Sequence, residues 1–473
     1  MFVVTFYSFR GGVGRTMALV NIGAYLASLG RRVLLVDFDL ESPGLPKYDL
    51  SRPQSIDGGV VEFISTYLKS GEVPDVNDYV YPSDTFPGTG GKLWIMPAGK
   101  EDDSYQQRLN QINWAELYEK RDGYLLMEDL RVQWDKQLGA EYVLIDSRTG
   151  YTDIAGICTR QLPDEVCMMF MPNKQNLDGL VNVVKKIREQ STMPDLRHPK
   201  LLFAASNVPD LDDEEGALAT IMQEFKERLG FDRLAITVKQ YGSMALLNQT
   251  IFAVKRSNTA LAKTFQSFAN RIAESNPEDR VASLAFLRAI VRSYPGGDSE
   301  YSPSEIAKQV DQIVTKHNDG EILYWAARVR ETSGDWEAAL NLLTRAIESG
   351  YANAETYIQR GQANMLANQE NEAQKDAMWV LGQKDVKVEH LVSAVQILLR
   401  LESKADIANS QAIRTLSEQD RFFLAESVKG TARGSELGHA ILSALLENSA
   451  LPDATRDKAV QLLKRLRKPN ARS

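Results

Sequence analysis

The stretch of sequence that decides the fold is residues 8–17, which read SFRGGVGRTM. It follows an apolar run at residues 2–7 and precedes a helical pattern at residues 17–29, so a glycine-rich turn joins a strand to a helix. Glycines let backbone N–H groups converge on an anion, and the start of a helix adds a favourable dipole. The standard pattern G-x-x-x-x-G-K-[ST] fails twice, at Phe9 and Arg15. A phosphate-binding loop is predicted, and a tight glycine turn without a ligand is the alternative.

Two further apolar runs end in acidic residues. Residues 32–37 end in Asp37, and Asp39 points to the same side of an extended chain because it lies two positions further on. Residues 142–146 end in Asp146. Open parallel sheets bind ligands at the carboxyl ends of their strands. Three acids beside a glycine loop therefore indicate a magnesium–nucleotide site rather than three structural aspartates.

The order of elements predicts the fold class. Short apolar runs alternate with helical patterns up to about residue 275, and the predicted strands are residues 2–7, 32–37, 93–97, 142–146, 165–171 and 200–206. This order implies right-handed crossovers and a mostly parallel sheet with helices on both faces, an α/β/α arrangement of three layers. Beyond Asn276 the strand signals stop and helical periodicity takes over. We predict an α/β domain at residues 1–275 and an all-helical domain at residues 276–473.

These motifs together resemble the ParA/MinD group of deviant Walker A ATPases, in the SIMIBI class of P-loop proteins. The resemblance rests on residues 10–16, Asn21, residues 37–39 and residues 146–150, and it extends over about residues 1–275. It implies a P-loop fold, binding of ATP with Mg²⁺, ATP hydrolysis, and a homodimer that closes face to face around two nucleotides. The loop GGVGR and the second switch DSRTG resemble a less studied branch of that group.

The resemblance also implies roles for individual residues. The nucleotide would contact Arg10, Gly11, Gly12, Val13, Gly14, Arg15, Thr16, Met17 and Asn207. Magnesium would be held by Thr16, Asp37 and Asp146, and Gly150 would be the pivot of the second switch. Catalysis would use Asp39 to position water, together with Arg10, Arg15 and Arg148. For Asn207 the alternative is an ordinary strand end, and for Arg148 it is a surface pair with an acid such as Asp153.

Both family lysines are replaced by arginine, at Arg10 and Arg15. Arginine keeps the charge and gains a bidentate fork, but it is bulkier and planar, so the exchange is not conservative at a phosphate. We therefore expect ATP binding and ATP-bridged dimerisation with slow turnover.

The helical half has a pattern of its own. Residues 323–347 resemble a tetratricopeptide unit, and a shift of 34 residues places small side chains on one another. Ala327 falls on Gly361, and Ala339 falls on Ala373. The pattern predicts a tetratricopeptide-like solenoid whose concave surface binds a protein partner. A helical bundle without true repeats is the alternative.

Composition excludes several classes of protein. The chain has 473 residues, 55 Lys and Arg against 63 Asp and Glu, a net charge of −8, two cysteines and four histidines. This balance argues against a globally basic nucleic-acid binder, and the cysteines argue against a disulfide scaffold. No run approaches the ~18 apolar residues that a membrane span needs. Because a strand-like run begins at Met1, we expect no signal peptide and a cytoplasmic protein.

One terminal helix has two interpretations. An apolar stripe of Ala459, Leu462, Leu463 and Leu466 is surrounded by Lys458, Lys464, Arg465, Arg467 and Lys468. Such a helix is typical of a membrane anchor, but a capping helix that packs on the solenoid is favoured.

Three functions follow from these observations. The first is an ATP-dependent dimerisation switch that recruits a protein partner through residues 276–473, for example in a signalling or defence operon. The second is a positioning or partition ATPase on DNA or membrane, which the acidic balance disfavours. The third is a scaffold that binds nucleotide without turnover.

Overall fold

The computed structural model of the protein describes residues 1–50, 58–83, 90–190, 196–209, 216–242, 249–293, 301–403, 406–447 and 451–466. The chain divides into two compact units, Met1–Asn276 and Pro277–Ser473. Each unit has its own hydrophobic core, and they are described separately below.

An eight-stranded sheet forms the centre of the first unit, in the order β3-β4-β2-β5-β1-β6-β7-β8. The strands are β1 Phe2–Tyr7, β2 Arg32–Phe38, β3 Tyr81–Ser83, β4 Lys92–Met96, β5 Tyr142–Ser147, β6 Glu165–Phe170, β7 Lys200–Val208 and β8 Ile236–Lys239. Only the pairing of β3 with β4 is antiparallel among these. The predicted mostly parallel sheet is confirmed. The short strands β3 and β8 were not predicted.

Helices connect the strands and cover the sheet. They are α1 Arg15–Ser28, α2 Val60–Ser70, α3 Tyr105–Asn110, α4 Trp114–Lys120, α5 Gly123–Lys136, α6 Asp153–Gly156, α7 Lys174–Gln190, α8 Ala217–Leu229, α9 Phe252–Lys255 and α10 Ala260–Ser275. A π-helical turn, Ile157–Gln161, continues α6. Strand β1 is buried throughout, as expected for a central strand with both faces covered.

Strand register brings the predicted site residues to one edge of the sheet. Strands β1 and β2 both pair with β5, and Asp37 lies directly opposite Asp146. Phe6 pairs with Asp146 from the other side, so the turn after Tyr7 begins close to this acid. The glycine loop and both carboxylates therefore lie at the carboxyl ends of three neighbouring parallel strands.

The second unit is helical. Its helices are α11 Arg280–Ser293, α12 Pro303–Lys316, α13 Gly320–Thr332, α14 Trp336–Glu348, α15 Ala354–Leu366, α16 Glu370–Leu381, α17 Val388–Arg400, α18 Gln411–Arg414, α19 Glu418–Ser427, α20 Ala432–Leu446 and α21 Asp453–Leu466. Helices α13, α15 and α17 begin 34 residues apart, and each has 13 residues. Helices α14 and α16 keep the same spacing. This period favours a helical repeat over an irregular bundle, while its assignment to the tetratricopeptide class stays a prediction.

The terminal helix α21 buries its apolar stripe. Ala459, Leu462 and Leu466 are buried in a cluster with Leu442 and Leu445 of α20. This packing favours the capping interpretation over a membrane anchor. Arg467 and Lys468 lie outside the described residues. Within the described parts of the chain, no helix has the length and apolarity needed to cross a membrane.

Candidate nucleotide-binding site

The loop between β1 and α1 is anchored below and open above. Gly12 and Gly14 have φ angles of 79° and 80°, in the left-handed region that favours glycine. A Cβ added at Gly11 or Gly12 would meet no atom within 4 Å, so open space lies over the loop. From below, the Ser206 hydroxyl donates to the Val13 carbonyl at 2.7 Å. This is the geometry of a preformed cradle for an anion.

A cleft of about 710 Å³ opens above this loop. Its volume lies in the range of small-molecule sites in proteins. The lining residues come from the loop, from both segments that follow the acidic strand ends, and from one distant turn: Gly11, Gly12, Val13, Gly14, Arg15, Thr16, Met17, Asp39, Glu41, Ser42, Gly44, Lys47, Tyr48, Arg148, Thr149 and Gln249. Most of the predicted nucleotide residues therefore meet in one place.

Arg15 is the central cation of the cleft, and its side chain is only 7% exposed. Its Nε lies 3.1 Å from Asp146 Oδ1, and its Nη2 lies 2.8 Å from Asp39 Oδ2. Its Nη1 donates to the Ser8 hydroxyl at 2.6 Å. The planar fork reaches these three acceptors from three separate nitrogens, whereas the three N–H donors of a lysine ammonium all lie on one nitrogen. In this arrangement the guanidinium neutralises two acids of the site.

Burial is the main cause of the raised pKa values of two acids in the site, Asp37 and Asp39. Asp37 is fully buried, and this burial, followed by the charge of Asp146, raises the pKa of its carboxyl group. Its oxygens accept backbone N–H groups of Asp39, Gly44 and Leu45 at 2.9–3.1 Å. Burial also raises the pKa of Asp39 to about 6, although Arg15 opposes this shift. Asp37 therefore holds the loop that follows β2, while Asp39 faces the cleft.

The oxygen donors near Asp146 fit a magnesium ion. The Thr16 hydroxyl donates to Asp146 Oδ2, and Asp37 contributes a second buried carboxylate beside it. Magnesium prefers oxygen ligands, keeps several waters, and is bound by one or two carboxylates together with substrate phosphates. Among the described residues, no group of three or more His, Cys, Asp or Glu side chains could hold a metal alone. The donor set thus suits an ion that arrives with phosphates and water.

Arg148 lines the cleft but does not pair with the acid named from the sequence. Its Nη2 lies 2.6 Å from Glu41 Oε2, and the two side chains are 27% and 52% exposed. Asp153 instead stands in the first turn of α6. The alternative of a surface pair with an acid therefore holds with Glu41 in place of Asp153, because the segments after β2 and β5 lie side by side and bring Glu41 closer, while a catalytic role of Arg148 stays a prediction. The pair joins these two segments at the rim of the cleft.

Arg10 and Asn207 stand apart from the lining of the cleft. Arg10 is exposed, and its guanidinium carbon lies 5.7 Å from the centre of the Phe9 ring. Asn207 has a φ of 53° beside the irregular pairing between Ala205 and Val208. Asparagine tolerates that left-handed conformation better than most residues, which accounts for it at the end of β7. Its contact with adenine stays a prediction.

Sequence reasoning did not identify several residues of the site. Ser8 and Ser206 hold Arg15 and the loop, and Glu41 binds Arg148. The sequence does contain an indication for Ser206, because it is a polar residue at the end of an apolar strand. The sequence contains no such indication for Gln249, since this residue reaches the cleft from a segment more than two hundred residues away from the loop.

The fold and the cleft define an α/β nucleotide-binding protein of the P-loop type. A model of the CobQ/CobB/MinD/ParA nucleotide binding domain matches residues 4–283, and the chain belongs to that family. The predicted ParA/MinD-like class is confirmed, and membership of this family supports nucleotide binding.

Individual relatives match more weakly. An iron-sulfur cluster carrier protein of Methanocaldococcus jannaschii is 25% identical over 183 residues, which cover 38% of this chain and 56% of that protein. The chromosome-partitioning ATPase Soj of Treponema pallidum is 33% identical over 115 residues, covering 16% of this chain and 46% of the relative. The chain thus spans about half the length of the curated relatives it matches. The solved cell division ATPase MinD of Pyrococcus furiosus has a TM-score of 0.42 at 16% identity, covering 58% of this chain and 99% of that one.

Proposed function

We propose that this protein is a cytoplasmic, ATP-dependent dimerisation switch that hydrolyses ATP slowly and binds a protein partner through its helical unit. The observation that carries the proposal is the convergence of an open glycine loop, a buried arginine and the acids Asp39 and Asp146 on one cleft. Loop amides, a cation and carboxylates at that spacing are the parts that phosphoryl transfer requires.

Each part has a role in the proposal. The backbone amides of Gly11 to Thr16 bind the phosphates, and the Thr16 hydroxyl and Asp146 hold the magnesium ion, with Asp37 behind them. The ion, when bound, neutralises charge on the phosphates. Asp39 orients the attacking water, because it faces the cleft and is not held by the loop amides. Arg148 stabilises charge that develops in the transition state.

Slow turnover follows from the contacts of Arg15. The guanidinium is bound to Asp39 at 2.8 Å and to Asp146 at 3.1 Å, so it must leave at least one of them to contact a phosphate. While Asp39 pairs with Arg15, the carboxylate is also less available to orient water. Both effects raise the barrier to hydrolysis without preventing ATP from binding to the loop.

Binding and turnover of ATP by the full chain test whether the protein is an enzyme. We expect ATP with Mg²⁺ to bind to wild type and to Asp39→Ala, and phosphate release to be slow in wild type and absent in the variant. If neither wild type nor variant releases phosphate, the protein is a nucleotide-binding scaffold without turnover and not an enzyme. Loss of ATP binding from wild type itself would contradict the proposal.

Partner binding is assigned to residues 277–473. Helices α13, α15 and α17 repeat at 34 residues, and stacked helical repeats present extended concave surfaces to other proteins. A partner captured by the full chain with ATP should be lost when these residues are deleted while ATP binding remains. Capture that survives the deletion would place the partner on the first unit.

The names of relatives suggest two other functions. One relative is named a chromosome-partitioning ATPase, which favours a partition or positioning function on DNA; this predicts binding to random duplex DNA that weakens steeply with salt. The net charge of −8 and the buried stripe of α21 disfavour a DNA or membrane matrix. Another relative carries iron-sulfur clusters, which thiolates bind. The two cysteines here, Cys158 and Cys167, are both buried, so we do not transfer that function.

A further inference from the structure

Phe9 occupies an unusual place at the start of the phosphate loop. The standard pattern has glycine at this position, yet here the phenylalanine ring lies against Gly179 of α7. A Cβ added to Gly179 would fall 2.0 Å from the Cδ1 atom of the ring, so only glycine at 179 admits the ring in this position. The loop is therefore tied to α7 by a close contact between one aromatic side chain and one glycine.

Tyr151 completes this contact from the second switch. Its ring centre lies 5.4 Å from that of Phe9, at an interplanar angle of 62°. Its hydroxyl donates to the Gly179 carbonyl at 2.6 Å, and the preceding carbonyl, that of Gly150, accepts the Tyr7 hydroxyl at 3.1 Å. The end of the second switch and the start of the phosphate loop thus share one anchor point on α7.

Of these two aromatic side chains, Phe9 is partly buried against the core cluster that includes Leu177 and Leu180 of α7, whereas Tyr151 contributes little to the core. Tyr151 is 49% exposed, so burial of its ring gains little for folding. The face of the Phe9 ring carries the guanidinium of Arg10, at 5.7 Å from its centre. Among the described residues no carboxylate pairs with Arg10, and the Phe9 ring is placed to orient this exposed cation. A cation over an aromatic face is favourable even at an exposed site.

We propose that Phe9 and Tyr151 are positioning residues that hold Arg10 toward the nucleotide of the partner subunit. The proposal rests on the proposed ATP-bridged dimer and adds what orients the arginine in it. Arginine is longer than the family's lysine and would sample more directions from an exposed loop. Because Tyr151 follows Gly150 directly, the orientation of Arg10 depends on where the second switch ends.

Four variants of the full chain test this proposal. Phe9→Leu keeps an apolar contact with Gly179 but removes the aromatic face, and Arg10→Gln removes the charge. The double variant combines both changes. Tyr124→Leu changes another half-exposed tyrosine on α5 and serves as the matched control. Sedimentation velocity with ATP and Mg²⁺ gives the dimer dissociation constant, and a fluorescent ATP analogue gives the affinity of the dilute monomer.

We expect Phe9→Leu to weaken the dimer about tenfold, because one cation–π contact accounts for about threefold and a dimer contains two copies. The ATP affinity of the monomer should stay within about twofold, since Phe9 does not line the cleft. If Phe9 acts through Arg10, the double variant should dimerise no more weakly than Arg10→Gln alone. Additive losses, or an equal loss of ATP affinity, would overturn the proposal and indicate a merely structural role.

A second measurement separates this proposal from the proposed function. Phenylglyoxal modifies exposed arginine side chains, and mass spectrometry gives the rate for Arg10. This rate is measured on the nucleotide-free protein, so it does not depend on a dimer. A released guanidinium should react about threefold faster in Phe9→Leu, in line with the loss of one such contact, while exposed Arg32 keeps its rate. If wild type stays monomeric with ATP, the dimer model fails while this rate still reports on Arg10. An unchanged Arg10 rate would overturn the positioning role whatever the dimer does.

Discussion

Replacing Arg15 by lysine separates two effects of its guanidinium group, which stabilises the first unit and holds Asp39 away from the attacking water. The guanidinium contacts Asp146, Asp39 and the Ser8 hydroxyl within 3.1 Å. A lysine keeps the charge, but its three N–H donors lie on one nitrogen, which cannot take the places of Nε, Nη1 and Nη2 together, so we expect about two of these three contacts to be lost. A net cost of about 1.5 kcal/mol for each hydrogen bond of a charged group gives a loss of about 3 kcal/mol in the free energy of unfolding of the nucleotide-free first unit. The same change frees Asp39.

Turnover should move in the opposite direction. If Arg15 must leave Asp39 before hydrolysis, removal of that contact lowers the barrier by about 1.4 kcal/mol, which corresponds to about a tenfold faster phosphate release. The Arg15→Lys variant should therefore be less stable without nucleotide and more active with ATP. A loss of packing alone would reduce both properties, so the opposite signs identify the mechanism.

Two assays check this prediction on the full chain. Hydrogen exchange of peptides from β1 and β5 reports the unfolding free energy of the first unit separately from the helical unit. Steady-state phosphate release at saturating ATP gives the turnover. Arg32→Lys is the matched control, because Arg32 is exposed, so the loss of its 3.5 Å pair with Glu141 and of its hydrogen bond to the Gly139 carbonyl should cost little. Unchanged stability together with unchanged or slower turnover in Arg15→Lys would refute the interpretation of the fork.

Three further predictions concern single side chains. Because the pKa of Asp39 is raised to about 6, its carboxylate takes up a proton as the pH falls through that value, so kcat/KM for ATP should fall below about pH 6. A pH profile in which kcat/KM does not fall on the acidic side would exclude Asp39 as the group that orients water. Arg148→Gln should slow phosphate release by about a hundredfold or more if the side chain stabilises the transition state. Glu41→Gln, which changes the partner of Arg148, should have a small effect. Equal effects of the two variants in a phosphate-release assay would indicate that only their ion pair matters. Asp376→Ala removes the partner of Arg360, bound at 2.6 and 3.0 Å, and should destabilise the helical unit by about 3 kcal/mol in urea unfolding while ATP affinity stays unchanged.

The sequence predicted most of the sheet for a physical reason. Strands buried on both faces need continuous apolar runs, and β1, β2, β5 and β6 have them. Strand β3 has three residues with Pro82 at its centre, and β8 has four residues with mixed burial, so neither produces such a run. Short edge strands are defined by their neighbours rather than by their own composition.

The site was predictable in its parts but not in its contacts. The glycine loop, Asp39 and Asp146 follow from motif spacing and from the rule that ligands bind at the carboxyl ends of strands. The orientation of Arg15 does not, because it depends on distances between three segments that only the folded sheet brings together. The pairing of Arg148 with Glu41 depends in the same way on the order of β2 and β5.

The proposed switch is tested most directly by the mass of the particle in solution. Sedimentation velocity of the full chain should give a monomer without nucleotide and a dimer with ATP and Mg²⁺. Thr16→Val, which keeps the shape of the side chain but lacks the hydroxyl that faces Asp146, should stay monomeric under both conditions. Equal sedimentation of the wild-type protein with and without ATP and Mg²⁺ would contradict the account.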